Sequence, residues 1–186
     1  DWSTFTPTSS TLVDLNAVWG YASDSVFASG EGGTIAWYNG NVWSLVSSEL
    51  DPNIDLYSIW GASACNIYAA GINTTTNAGT IYNFDGREWS SQTSLITPSN
   101  LYPLSGIHGT SMRDIFIAGN AGTLLTYDPE GDIYPDVCAT SPAENALQVS
   151  PGSSIYALFS TGMDPDSITT SSFTLTTGND TVSGTV

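Results

Sequence analysis

A pattern that occurs three times along the chain constrains its fold more than any other feature. The first copy, Leu15–Ser44, contains the strings LNAVWG, SVFASG, GTIAWYNG and VWS. The second copy, Leu56–Ser90, contains LYSIWG, NIYAAG, GTIYNFDG and EWS, and a third copy begins at Leu104 with LSGIHG, DIFIAG and GTLLTYDPEG. Internal repetition on this scale predicts one structural unit that is used three times.

Each copy spans roughly 41 to 48 residues and contains four short segments that are rich in β-branched and aromatic residues. Gly, Asn, Asp and Ser separate these segments, which predicts strands joined by turns. Asn39-Gly40 and Asp85-Gly86 lie between the last two segments of their copies and favour tight hairpins. Four strands in a repeat of this length correspond to one β-propeller blade.

The shared pattern is L-x-x-[VI]-W-G, then [DN]-[VI]-[FY]-A-x-G, then G-T-I-x-x-[YF]-[ND]-G-x-x-W-S. It resembles the blades of a bacterial secreted β-propeller family with tandem W-G…G-T-I…W-S repeats. The resemblance covers roughly residues 1–134 and implies an all-β, propeller-like fold of three four-stranded repeats, without implying an activity. A closed ring usually has about four to eight blades. The chain is therefore a fragment, shares a ring with other chains, or forms a β-trefoil, which also has three four-stranded repeats.

The two ends of the repeat region match each other. Asp1–Ser3 has the sequence of the W-S strand that ends the first two copies, whereas the third copy offers only Asp132–Tyr134 at that position. We therefore expect the N-terminal strand to complete the third copy by strand exchange. Exchange within one chain would seal a ring, and exchange between chains would link subunits head to tail into a filament.

The W-G pattern stops at the end of the third copy, and a different sequence begins. The characteristic strings TSPA, IYALFS, MD and FTL occupy Thr140–Ala143, Ile155–Ser160, Met163–Asp164 and Phe173–Leu175. They resemble the start of a bacterial Ig-like domain of surface proteins, so we assign a repeat domain to 1–134 and a partial Ig-like domain to 135–186. A complete Ig-like sandwich has about 100 residues. Either the polypeptide continues, or another chain supplies the missing strands by β-strand addition.

The charge of the chain excludes several partners. It has 18 acidic residues, only Arg87 and Arg113 as basic ones, and a formal net charge of −16. Nucleic acid and anionic membrane surfaces are bound by clustered Lys and Arg, so neither is expected as a partner. No apolar run is long enough to predict a membrane-spanning helix.

Two groups of residues are candidates for chemistry. Cys65 and Cys138 are the only cysteines and form a candidate disulfide in a secreted chain, with two separate thiols as the alternative. Asp128, Glu130 and Asp132 alternate in a loop that contains glycine, which would supply oxygen ligands for Ca²⁺. An ordinary acidic turn is the alternative for that loop.

The aromatic residues divide into recurring and unique positions. Four tryptophans recur in register with the repeat and are predicted core residues: Trp19, Trp43, Trp60 and Trp89. Trp37 does not recur, and we single it out as an exposed aromatic residue for stacking on a sugar. His108 occupies the position of Trp19 and Trp60, which predicts a structural substitution, because a lone histidine cannot build a zinc site.

These observations favour an extracellular or cell-surface protein with a structural or adhesive role. In its most specific form, the prediction is a subunit of a surface fibre or appendage that self-associates by strand sharing. A carbohydrate-binding module and a fragment of a carbohydrate-active enzyme are the alternatives. We assign no catalytic residue and no cofactor other than Ca²⁺, since two arginines in different copies cannot form the arginine cluster of a propeller sialidase.

Overall fold

The computed structural model describes residues 13–46, 50–93, 101–127, 135, 137–142, 146–147, 149–150, 152–177 and 180–182. The chain divides into two compact units, Asp1–Ile133 and Tyr134–Val186. The described elements are β-strands and short 3₁₀ turns, which confirms the predicted all-β class. The described part of the chain holds no helix with the length and apolar character that a membrane crossing requires.

The first unit contains three antiparallel sheets in which successive strands are neighbours. The first sheet consists of β1 (Leu15–Ala22), β2 (Ser25–Gly30), β3 (Ile35–Tyr38) and β4 (Trp43–Leu45). The second consists of β5 (Ile54–Ser63), β6 (Asn66–Asn73), β7 (Ala78–Phe84) and β8 (Trp89–Ser91). The third has the described strands β9 (Leu104–Ser111), β10 (Asp114–Gly119) and β11 (Leu124–Tyr127). The predicted strands at Asp1–Ser3 and Asp132–Tyr134 lie outside the described residues.

Asn39-Gly40 and Asp85-Gly86 form the hairpins that the sequence predicts. In each, the side-chain Oδ1 of the first residue accepts hydrogen bonds from the backbone N–H groups two and three residues further on, at 2.8 to 3.1 Å. The glycines have φ angles of 88° and 95°, which residues with a Cβ rarely adopt. These turns join β3 to β4 and β7 to β8.

The sheets stack face to face in chain order, with the second sheet in the middle. Side chains alternate between the two faces of a strand, so each sheet has an upstream face, toward the preceding sheet, and a downstream face, toward the following one. The core between the first and second sheets contains Phe27, Ile35, Leu50, Ile54, Leu56, Ile59, Ile67 and Ala69. The core between the second and third contains Trp60, Ala70, Ile81, Leu101, Leu104, Ile107, Ile115 and Ile117. Four-stranded meanders stacked in this way are the arrangement of propeller blades.

The strand register shows which positions of the three copies correspond. Trp19 pairs with Phe27 in the first sheet, and Trp60 pairs with Tyr68 in the second. His108 pairs with Phe116 in the third sheet, so it occupies the tryptophan position, as the sequence predicts. The same register aligns Ile35 with Ile81 and Leu124 on the third strand of each sheet.

The described residues of the second unit form two small antiparallel sheets. One pairs β12 (Val137–Ser141) with β13 (Tyr156–Phe159), and the other pairs β14 (Leu175–Thr177) with β15 (Asp180–Val182). A 3₁₀ turn at Pro165–Ser167 lies between them, and its N-cap Asp164 accepts a hydrogen bond from the N–H of Asp166. Among the described residues of this unit, Ser160 alone is buried.

Candidate functional site

The glycine of each W-G pair is a contact point between neighbouring sheets. A Cβ atom on Gly61 would lie 2.7 Å from Cη2 of Trp19, and one on Gly109 would lie 2.7 Å from Cη2 of Trp60. Real Cβ atoms do not approach heavy atoms this closely, so the tryptophan of one sheet packs over a glycine of the next. The sequence showed the W-G dipeptide but not this role, because the two partners belong to different copies.

The glycine of each G-T-I string makes a second contact between sheets. The N–H of Gly79 donates to the carbonyl of Leu101 at 2.8 Å, and a Cβ on Gly79 would overlap the carbonyl oxygen of Tyr102. Gly33 is similarly close to Asp51. A bare backbone is therefore required where the chain enters the next sheet.

The downstream face of the third sheet has the same positions as the other two sheets but is exposed. Ile35 and Ile81 are 0% and 6% exposed, whereas Leu124 at the corresponding position is 71% exposed. Phe27 is 6% exposed, whereas Phe116 is 45% exposed. The exposed apolar face therefore results from the place of the sheet in the stack and not from its sequence.

The upstream face of the first sheet shows the same difference at the other end of the stack. Val18 is 66% exposed, whereas its counterparts Ile59 and Ile107 are 5% and 7% exposed. Leu15 is half exposed, whereas Leu56 and Leu104 are fully buried. The two ends of the stack are thus the main exposed apolar surfaces of the described repeat region.

Trp37 is not the exposed aromatic residue that the sequence suggested. Its side chain is half-buried and packs against the core between the first two sheets. Its ring centroid lies 6.5 Å from that of Phe27, since the strand register places the two residues side by side on one face. The carbohydrate-binding hypothesis loses its candidate residue.

His108 lies beside an aromatic residue of the second sheet. Its imidazole is exposed and lies 6.2 Å, centroid to centroid, from the edge-on ring of Trp60.

Tyr68 of the second sheet and Tyr127 of the third have ring centroids 6.0 Å apart. Burial, together with the neighbouring Tyr127 hydroxyl, raises the pKa of Tyr68 above its usual value of 10.0.

The remaining predicted site residues are only partly described. Cys65 is buried just before β6, where Ser63 Oγ lies 3.5 Å from its Sγ, and Cys138 is half-buried in β12. Asp128, Glu130 and Asp132 lie outside the described residues, so the Ca²⁺ site stays a prediction. Where the structure is described, no three His, Cys, Asp or Glu side chains form a group that could hold a metal ion.

Comparisons with known proteins find a matching family model for one segment and a solved structure of similar fold. The family model of the bacterial Ig-like domain matches residues 131–186. The solved structure of YCF48 bound to D1 peptide is similar in fold, with a TM-score of 0.51 and 20% sequence identity, over 67% of this chain and 40% of that chain. This chain therefore spans well under half the length of that propeller-like neighbour. No curated protein matches the chain.

Proposed function

We propose that this chain forms part of an extracellular structural or adhesive protein, assembled into a surface fibre or appendage by strand sharing. The observation that carries the proposal is the bacterial Ig-like match at residues 131–186, which indicates an extracellular surface protein. The repeat region supports a non-catalytic role, since its recurring aromatic residues and glycines are used in packing between sheets. The likeness to YCF48 supports the fold alone.

The order of strands supports strand sharing. The W-S strand β4 belongs to the first sheet but immediately precedes the second sheet in sequence, and β8 stands in the same relation to the third. In both cases, the W-S strand is the last strand of the sheet that lies upstream of the sheet following it in sequence. By the same rule, Asp1–Ser3 would be the last strand of a sheet that lies upstream of the first sheet. The third sheet of a second copy is the candidate, because its described strands end at β11.

We include two further assignments in this proposal. The domains are 1–134 and 135–186, which the division into two compact units supports. The second assignment is a disulfide between Cys65 and Cys138, which is supported because they are the only cysteines and disulfides persist in extracellular proteins. Intact-mass measurement with and without reduction, each followed by alkylation, tests the pairing. Two alkylated cysteines without reduction would contradict it.

Strand sharing is tested by deleting Asp1–Phe5 from the full chain. We expect the wild-type protein to form fibres or oligomers above its monomer mass of 19.6 kDa and the deleted protein to be monomeric. Native mass and negative-stain images provide the readout. A Trp2→Ser variant should behave like the deletion, and Trp2→Phe, the control, should assemble because it keeps an aromatic side chain. Unchanged assembly of the deleted protein would contradict strand sharing.

A further inference from the structure

We propose that the two exposed ends of the sheet stack are halves of one interface, through which copies of this chain dock head to tail. The downstream face of the third sheet in one copy receives the upstream face of the first sheet in the next. The inference rests on the proposed self-association and adds the surfaces that carry it. It concerns the faces of the sheets, whereas strand sharing concerns their edges.

The first step of the argument is that the interface already exists twice within the chain. A downstream face covers an upstream face between the first and second sheets, and again between the second and third. Between the first and second sheets, this contact buries Ile35 of the first sheet and Ile59 of the second. Between the second and third sheets, it buries Ile81 and Ile107, which occupy the same two positions. A third contact of the same kind would bury Leu124 against Val18 of another copy.

The second step is that the glycines at the two ends of the stack lack, among the described residues, the contacts that their counterparts make between sheets. The nearest described atoms to a Cβ on Gly20 would belong to Val26 and Ser25 of its own sheet, whereas Gly61 and Gly109 each lie under a tryptophan ring. A Cβ on Gly122, which corresponds to Gly33 and Gly79, would meet no atom of the described residues within 4 Å. His108 then presents an exposed aromatic ring to Gly20 of the next copy, as Trp19 and Trp60 do within the chain.

The third step is the chemistry of the two faces. The downstream face of the third sheet presents Gly106, His108, Phe116, Ala118, Leu124 and Thr126. The upstream face of the first sheet presents the exposed Leu15, Val18 and Gly20, with the half-buried Val26 and the buried Ala28 beside them. Among the described strands of the first and third sheets, Asp114 is the one Asp, Glu, Lys or Arg residue, and it lies at the start of β10 on the same side as Phe116, although the chain has a formal net charge of −16. Burial of the apolar surface favours association, whereas the negative charge of each copy opposes it. Salt weakens this repulsion, since charges are screened beyond about 8 Å at physiological ionic strength.

Docking of this kind is also compatible with the strand order. If Asp1–Ser3 of one copy adds to the edge of β11 in another, the chain that follows leads directly into the first sheet. Within the chain, β4 and β8 each precede the sheet that stacks on their own. One strand addition would therefore bring the two exposed faces together. A second copy of this chain satisfies both features, so it is the partner that covers the two exposed faces.

Two charge substitutions test the interface. Val18→Glu blocks the upstream face of the first sheet, and Leu124→Glu blocks the downstream face of the third sheet. Both side chains are largely exposed, so we expect both variants to fold, and circular dichroism with thermal unfolding checks this. Leu147→Glu in the second unit, where the leucine is 89% exposed, is the matched control. Sedimentation equilibrium over a range of protein and salt concentrations gives the masses.

We expect the wild type and Leu147→Glu to associate more strongly as salt rises. Each blocked variant alone should have its association weakened by about tenfold or more, which corresponds to about 1.4 kcal/mol. A mixture of the two blocked variants should form a dimer, because each retains the face that the other lacks. This rescue is specific to a head-to-tail contact, since a contact between two identical faces would not produce it.

Several results would overturn the inference. A wild type that stays at 19.6 kDa under all conditions would contradict docking between copies. The inference would then be wrong even if a blade from another protein covers the two faces. Blocked variants that associate like the wild type, or a mixture that forms no dimer, would also do so. If the glutamate variants fail to fold, Val18→Ser and Leu124→Ser take their place, and the same results would overturn the inference.

The test separates face docking from strand sharing. If the deletion of Asp1–Phe5 prevents assembly and Val18→Glu does not, strand sharing stands and face docking is wrong. If Val18→Glu prevents assembly and the deletion does not, face docking stands and strand sharing is wrong.

Discussion

The second sheet and the two outer sheets have nearly the same sequence pattern and different surroundings. Both faces of the second sheet are covered, and its Ile59 and Ile81 are almost completely buried. The corresponding Val18 of the first sheet and Leu124 of the third are mostly exposed. The comparison shows that the repeat determines which side chains face which side, whereas the neighbouring sheet determines how much each one contributes to stability.

The largest expected difference is between Ile81→Ala and Leu124→Ala. Ile81 lies in the core between the second and third sheets, so its truncation should lower the free energy of unfolding by about 2 to 5 kcal/mol. Truncation of the exposed Leu124 should change it by less than about 0.5 kcal/mol in dilute solution. Urea unfolding at low protein concentration measures both. Equal losses would mean that the third sheet is covered in the monomer.

The glycines of the W-G pairs give the next largest difference. Gly109→Ala places a Cβ 2.7 Å from the ring of Trp60 and 2.6 Å from the carbonyl oxygen of Asp114, so we expect a loss of about 1 to 3 kcal/mol. Gly20→Ala brings the new Cβ to 3.1 Å from Cγ2 of Val26, a side chain with room to adjust, and should cost much less. Thermal unfolding of both variants tests this, and a larger loss for Gly20→Ala would contradict it.

A smaller effect of opposite sign is expected at Ser29. Its fully buried Oγ has no hydrogen-bond partner in the described structure, and the corresponding residues of the other copies are Ala70 and Ala118. Ser29→Ala should raise the free energy of unfolding by about 1 kcal/mol, because an unsatisfied buried polar group is removed.

Ser58→Ala is the control for this substitution. Ser58 Oγ accepts a hydrogen bond from the N–H of Ile107 at 3.1 Å, so its removal should lower stability. Urea unfolding of the two variants gives both signs. Destabilisation by Ser29→Ala would show that its hydroxyl has a partner.

The smallest effect is a pH dependence at one hairpin. Hydrogen bonds from the N–H groups of Glu88 and Arg87 lower the pKa of Asp85 below its usual value of 3.8, although partial burial opposes this. The carboxylate therefore stabilises the fold above pH 3.8, and this contribution is lost as pH falls through the lower pKa of the folded state. Because Asp85 is exposed, we expect about 0.5 kcal/mol or less.

Asp85→Asn tests this contribution, because Asn39 makes the same two kinds of hydrogen bond without a titrating group. The variant should retain the hairpin and lose this part of the acid sensitivity. Unfolding measured from pH 2 to pH 6 gives the comparison. Identical pH profiles for the variant and the wild type would contradict the assignment.

The strands, hairpins and repeat register were predictable because they depend on local chemistry. Asn39-Gly40 and Asp85-Gly86 adopt their turns with bonds inside four residues, and the alternation of side chains follows from strand geometry. The replacement of tryptophan by His108 was also readable, since alignment of the copies gives it directly. Identification of the Ig-like segment depended on short strings within residues 135–186.

The burial of individual residues was not predictable, because it depends on which sheet covers which face. Trp37 was singled out because it does not recur, yet it packs beside Phe27 in the first core. The exposed Phe116 and the buried Phe27 occupy the same place in their copies. Likewise, the fit of Trp19 over Gly61 joins residues about 40 positions apart, and no local pattern indicates such a contact.

Hydroxyl-radical footprinting of Phe27 and Phe116 at increasing protein concentration tests the central claim most directly. Both are phenylalanines at the same position of their copies, so their reactivities report solvent access to the two sites in the same way. We predict that Phe116 is reactive in dilute protein and becomes protected as copies dock, while Phe27 is protected throughout. If Phe116 stays equally reactive while the protein assembles, the downstream face of the third sheet is not the interface, and the account is wrong.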